Sequence, residues 1–201
     1  MFAKAALILV DIQNDFCPGG ALAVAQGDEI IEVVNRLMPC FPLVVAIQDW
    51  HPANHISFQE QGGIWQPHCM QNTPGAELHP QINRQEIDSY FHKAFEPQKD
   101  AYSGFEGINQ QGQSLHQALK EKEIKTIFVT GLATDYCVKA TALDGLKNGY
   151  EVYVVTDVVR AVNVNADDGE KALAAMQAQG VHLLSSEELF QSSQTASNQG
   201  D

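Results

Sequence analysis

The segment GLATDYC sets Cys137 just after the apolar run Thr126 to Thr130 and at the opening of an amphipathic stretch, Asp135 to Lys147. A thiol in the first turn of a helix meets unpaired backbone N–H groups and the positive end of the macrodipole, both of which favour the nucleophilic thiolate. An isolated cysteine is more often a small buried hydrophobe, so it is the placement that makes Cys137 the candidate nucleophile. Asp11 ends the run Ala5 to Val10. It is a candidate base, although a carboxylate at a strand end can equally cap the next loop. A second constellation lies in QDWHPANHISF and, further on, WQPHC, which supply Asp49, His51, His55 and His68. One carboxylate with two imidazoles, leaving coordination positions open, suits a catalytic iron, manganese or zinc ion rather than a closed structural tetrahedron. Pro52 and Asn54 argue against a helix that would set His51 and His55 on one face. Solvent-facing loop histidines are the ordinary alternative.

Holding these residues in one place falls to the apolar runs that precede them. Ala5 to Val10, Leu43 to Ile47, Thr126 to Thr130, Val152 to Thr156 and Val181 to Leu184 have strand length and suit strands buried on both faces. Between them lie amphipathic stretches, Glu29 to Met38, Ser114 to Glu123, Asp135 to Lys147 and Asp167 to Gln179, with Val138, Ala142 and Leu146 at helical spacing in the third. Gly149 and Gly180 close two of these stretches, as a left-handed helix end requires. Strand and helix alternate, which predicts an α/β fold with a mainly parallel sheet and helices on both faces. In such a sheet ligands bind beyond the carboxyl ends of the strands, where Asp11, Asp49, His51 and GLATDYC all fall. Residues 49–89 show no sustained period and read as long loops, which in compact domains are often functional. Residues 1–190 read as one domain, and residues 191–201, with almost nothing apolar, as a disordered tail.

Composition narrows the partners. The chain has 201 residues, is 44% hydrophobic and carries a formal net charge of -13, so it can bury a core unaided but offers no basic face to phosphates or anionic lipid. Nucleic acid and membrane are therefore not expected as partners, and no apolar stretch is long enough for a membrane span. No export signal is evident and the four cysteines lack disulfide spacing, so free thiols and a cytoplasmic location are expected. Cys17 and Cys69 read as packing residues and Cys40 as a buried one. His79, His92, His116 and His182 read as surface or satisfied core positions. The composition leaves a homo-oligomer open.

Taken in order, DIQNDFCPGGAL, QDWHPANHISF, WQPHC, HKAFEPQKDAYSGFEG and GLATDYCVKATALD resemble the nicotinamidases of the isochorismatase-like cysteine hydrolase superfamily, from Leu7 to about Val158. That resemblance implies a three-layer α/β sandwich and hydrolysis of nicotinamide to nicotinic acid and ammonia through a cysteine thioester, feeding NAD salvage. Pyrazinamide is an expected further substrate. The implied triad is Asp11, Lys93 and Cys137. Lys93 is preferred to Lys99 because it follows the extended run SYFH and stands in an HKA context. The implied metal ligands are Asp49, His51 and His68, holding one divalent ion, zinc before iron or manganese, with no organic cofactor. His55, Ser57 and Glu60 are left outside this set, and the triad is taken to be a constellation separate from it. Phe16 and Trp65 match the positions that flank the pyridine ring, and Tyr102 is a further pocket candidate. Ala133 and Cys137 match the backbone donors of an oxyanion hole, with a cis peptide between Leu132 and Ala133. Tyr136 stands where several relatives have another residue. The alternatives are another hydrolase of the superfamily, acting on a different small amide or a vinyl ether, and a binding protein that would need to lack the nucleophile or the base.

Overall fold

The structure is a computed structural model that describes residues 2–197, with the side chains of residues 2–191. Six strands form one sheet: β1 (Ala5–Val10), β2 (Val44–Asp49), β3 (Ser89–Lys93), β4 (Thr126–Leu132), β5 (Glu151–Arg160) and β6 (His182–Leu184), in the order β3-β2-β1-β4-β5-β6. Every neighbouring pair is parallel. The crossovers carry α1 (Ile31–Leu37), α2 (Leu115–Glu121), α3 (Lys139–Lys147) and α4 (Asp168–Ala178), and α5 (Ser186–Ser197) follows β6.

β1 and β2 are buried at all six of their positions, which is why they read as unbroken apolar runs. Alternate residues of β1 feed two separate cores. Ala5, Leu7 and Leu9 pack with Ile31, Val34 and Leu37 of α1 and Leu189 of α5, whereas Ala6, Ile8 and Val10 pack with Leu115 and Leu119 of α2, Ala142 of α3 and Met176 of α4. The sheet is thus the middle of three layers, as expected. Gly149 and Gly180 take positive φ just past α3 and α4. Ser114 and Gln117 form a capping box that starts α2. At Gly131, φ is +109° and a Cβ would lie 2.1 Å from the Val10 carbonyl oxygen, so only glycine lets the irregular end of β4 close on β1.

The structure departs from the sequence reading in four places. β3 is a full strand where only an extended run was noted; it lies at the sheet edge with three half-buried positions, so it carries no continuous apolar signal. The stretch Asp135 to Lys147 is divided into a π-type turn, Thr134–Val138, and α3. Cys40 is half-buried rather than buried, at the end of a short 3-10 turn that leaves its sulfur near the Arg36 carbonyl. Residues 191–197, expected to be without structure, continue α5, because each residue added to a formed helix gains a backbone hydrogen bond. Residues 198–201 of the expected tail lie outside the described residues. No helix among the described residues is long and apolar enough to cross a membrane.

Candidate active site

The carboxyl ends of β1, β2, β3 and β4 converge on a buried cluster. Asp11 follows β1 and takes a positive φ of 51°, its amide bonded to the Ile47 carbonyl. Asp49 ends β2, Lys93 ends β3, and the two are paired residues in the strand register. Cys137 sits in the π-type turn after β4, where Val138 N–H bonds back to the Ala133 carbonyl. The cis peptide between Leu132 and Ala133 is present.

Lys93 is the centre of the cluster. Its side chain is fully buried, and Nζ lies 3.0 Å from Asp11 Oδ2 and 3.4 Å from Cys137 Sγ while donating to Asp49 Oδ1 and, at 3.4 Å, to the Ala101 carbonyl. Lys93 thus lies within the cluster, whereas Lys99 is exposed. The expected separation of the triad from the metal group does not hold: one ammonium binds both, because Asp49 and Lys93 are register partners. Polar atoms of Asp11, Asp49 and Cys137 all lie within 4.8 Å of one another. The 3.0 Å contact between Lys93 Nζ and Asp11 Oδ2 is an ion pair, and the Asp11 carboxylate lies within 4.8 Å of Cys137 Sγ.

Burial sets the protonation states. It pushes the Asp11 carboxyl up to about 7 against the pull of Lys93, with the Asp49 charge adding to the rise. It would lower Lys93, but the carboxylates of Asp11 and Asp49 outweigh it and keep the ammonium charged. Cys137 reverses the expectation drawn from its place in a helix turn. Burial, joined by the two carboxylates, lifts its thiol well above the ordinary range despite Lys93, so the resting sulfur is protonated. Asp49 goes the other way: burial would raise it, but Lys93, His51 and His68 hold it below the usual carboxylate range.

Asp49, His51 and His68 form a buried group whose donor atoms lie within 4.8 Å of one another. His51 Nδ1 is 3.1 Å from the His68 carbonyl and His68 Nδ1 is 2.7 Å from the Gln66 carbonyl, contacts that fix each ring with Nδ1 protonated and the Nε2 lone pair exposed. Both Nε2 atoms stand 4.0 Å from Asp49, too far for a hydrogen bond. Burial lowers His51 to about 4 and lowers His68 as well, so both rings are neutral near neutral pH, as metal ligation requires. The donor set therefore fits a divalent ion. His55 is buried beside His51 and with it and Asp100 forms a second set of donor atoms within 4.8 Å of one another, but both its nitrogens are engaged, 2.7 Å from Ser57 Oγ and 3.0 Å from the Lys99 carbonyl. Glu60 is exposed.

A cavity of about 40 Å³, measured over the positions open to the centre of a water molecule, lies against both constellations. Phe16, Trp65 and Tyr102 line it together with Asp49, His68, Ala133 and Cys137. The Phe16 ring packs on His68 at 5.3 Å, and Trp65 Nε1 donates to the Tyr102 hydroxyl at 3.0 Å.

Residues 5–188 match the isochorismatase domain. The chain belongs to the isochorismatase family. It is 46% identical to a nicotinamidase from Escherichia coli, with 89% of this chain and 93% of that protein covered. Among solved structures it is similar to the pyrazinamidase of Pyrococcus horikoshii in complex with zinc, with a TM-score of 0.82 and 46% identity over 90% of this chain and 99% of that one. PnC1 from L. infantum in complex with nicotinate gives a TM-score of 0.85 at 38% identity, covering 92% of this chain and 94% of that one.

Within this family fold, sequence reasoning missed part of the cavity wall. Tyr136 meets the edge of Trp65 at 5.1 Å and lies 5.9 Å from Tyr102, and Leu22, Val24 and Val162 complete the lining. Tyr136 had a signal, its adjacency to Cys137. Val162 had none, since it is brought in from the loop after β5.

Proposed function

We propose that this enzyme hydrolyses the carboxamide of nicotinamide to nicotinic acid and ammonia, with pyrazinamide as a second substrate. The observation that carries this reading is the meeting of the Asp11–Lys93–Cys137 cluster and the Asp49–His51–His68 group on one small aromatic-walled cavity. The kinship with nicotinamidases and a pyrazinamidase supports it. The wall of Phe16, Trp65 and Tyr102 suits a flat ring.

The chemistry follows from charges already in place. Substrate enters with its carboxamide carbon over Cys137 Sγ, and the thiol proton passes to Asp11, whose raised pKa makes it a competent base near neutrality. Lys93, 3.0 Å from the carboxylate and 3.4 Å from the sulfur, stays opposite the negative charge as it moves from oxygen to sulfur. The thiolate adds to the carbonyl carbon, and the backbone N–H groups of Ala133 and Cys137 receive the developing oxyanion, each contributing about 3 kcal/mol. Asp11 returns the proton to the departing nitrogen, ammonia leaves, and the acyl group remains as a thioester on Cys137. Asp11 then takes a proton from water, which attacks the thioester, and nicotinic acid leaves as the thiol re-forms. Asp49, His51 and His68 would hold one divalent ion, with zinc the first choice and iron or manganese compatible with the same donors. When bound, that ion supplies a Lewis-acidic position able to bind the ring nitrogen and so orient the ring.

Steady-state release of ammonia from nicotinamide by the purified, zinc-loaded protein tests the proposal. No release above the rate of a Cys137→Ala control would overturn it.

A further inference from the structure

The segment between Asp11 and Phe16 holds two polar side chains, Gln13 and Asp15, that do not line the cavity, yet both end on the backbone of the segments that carry the proposed metal ligands. Gln13 is fully buried and uses its whole amide: Nε2 donates to the Asp49 and Ala76 carbonyls, both at 2.8 Å, and Oε1 accepts from the Asp49 N–H at 2.8 Å. The side chain thus pairs with the backbone of Asp49 as a neighbouring strand would, at the residue where β2 ends. Asp15 serves the other loop. Its Oδ2 accepts from the Cys69 N–H at 2.7 Å and its Oδ1 from the Ala21 N–H at 3.2 Å.

Cys69 directly follows His68 and adopts φ +45°, a left-handed conformation unfavourable for any residue with a side chain. It is held on two sides, its amide by Asp15 and its carbonyl by the His51 N–H at 3.0 Å. The Asp15 carboxylate in turn rests against Gly75, where a Cβ would lie 2.1 Å from Oδ2. A methyl group there would force the carboxylate off the Cys69 amide.

We infer that Gln13 and Asp15 are positioning residues for the metal group, Gln13 fixing the approach of the Asp49 carboxylate and Asp15 fixing the turn that aims His68. The inference rests on the proposal that Asp49, His51 and His68 bind a divalent ion. Partners one step removed from a metal ligand change affinity by about 10- to 100-fold when lost, without being ligands themselves.

The test is the zinc dissociation constant, read by competition with a chromophoric chelator, for wild type, Asp15→Asn, Gly75→Ala and Gln13→Met. Asn14→Ala is the control, because Asn14 lies in the same segment but bonds only the Pro74 carbonyl through its side chain. The first three variants are expected to bind zinc about 10- to 100-fold more weakly, with Gly75→Ala reproducing Asp15→Asn from a different loop. Asn14→Ala should bind zinc as wild type does. Gln13→Ala replaces Gln13→Met if the latter does not fold. Wild-type affinity in Asp15→Asn and Gly75→Ala, or equal weakening in Asn14→Ala, would overturn the inference while leaving the metal site standing. Failure of wild type itself to bind zinc would overturn the site and the inference together.

Discussion

Replacing Lys93 with methionine removes the cation from a pocket that keeps two carboxylates and a thiol. The polar atoms of Asp11 and Asp49 lie within 4.8 Å of each other, and at an effective dielectric constant near 20 two full charges at that separation repel by about 3 kcal/mol or more. Asp11, already raised to about 7 by burial, is the group that takes up a proton to relieve this. A protonated Asp11 cannot accept the proton of Cys137, and general-base assistance is worth about 10²- to 10⁴-fold. The thiolate also loses the ammonium at 3.4 Å, so kcat/KM should fall by at least about 10³-fold. Breaking a buried pair costs about 3–5 kcal/mol, and the cost depends on pH with a fixed sign. A carboxyl whose folded pKa lies above its unfolded value binds more protons in the folded state, so stability falls as pH rises through that interval. The deficit of Lys93→Met against wild type should therefore be larger at about pH 8 than at about pH 5 in urea titrations of metal-free protein. Lys99→Ala should be nearly silent in both assays, because His55 uses only the Lys99 backbone carbonyl. An active Lys93→Met, or an inactive Lys99→Ala beside it, would refute this account of the cluster.

Cys137→Ala should abolish ammonia release while nicotinamide still binds by calorimetry, because the aromatic wall and the metal group remain; measurable turnover would exclude Cys137 as nucleophile. Asp11→Asn should be inactive and slow alkylation of Cys137 by iodoacetamide, yet in metal-free protein it should be more stable than wild type near pH 8, an advantage that shrinks toward about pH 4 as Asp11 in wild type becomes protonated. Benzamide, which lacks the ring nitrogen, should be a very poor substrate of the zinc-loaded enzyme, and equal efficiency on benzamide and nicotinamide would defeat an orienting role for the metal.

How legible each part was depends on which interactions leave a trace along the chain. β1, β2 and β4 are covered on both faces and write themselves as apolar runs, and the residues that follow them, Asp11, Asp49 and the Cys137 turn, inherit that visibility. β3 is an edge strand bearing Tyr90 and His92 at half-buried positions, so the strand and the lysine that ends it lack the same signal. Choosing Lys93 depended on resemblance. The Lys93–Asp49 bond was out of reach, since it follows from a pairing register between segments 44 residues apart. The protonation of Cys137 was out of reach for a related reason. A helix terminus can be read from local sequence, but the burial that raises the thiol most is a product of tertiary packing, and the two carboxylates that add to it arrive from the ends of β1 and β2.

The shared lysine also explains how a protonated thiol can be the resting state of the proposed nucleophile. Before proton transfer the cluster holds the charges of Asp11, Asp49 and Lys93; afterwards it holds those of Cys137, Asp49 and Lys93, and its total is unchanged. The negative charge moves from an oxygen 3.0 Å from Nζ to a sulfur 3.4 Å from it, so the ammonium need not move to follow it. A site that solvates both states with the same fixed cation lowers the reorganisation cost that water would impose. Asp49 has a second task in this arrangement: one of its oxygens holds Lys93 in place, while the carboxylate as a whole faces His51 and His68. Charge placed among those imidazoles is therefore felt through Asp49 by Lys93, and through Lys93 by the sulfur. On this geometry the proposed metal group and the proposed nucleophile are one electrostatic unit, so loading the protein with zinc should alter the alkylation rate of Cys137 as well as the orientation of the substrate.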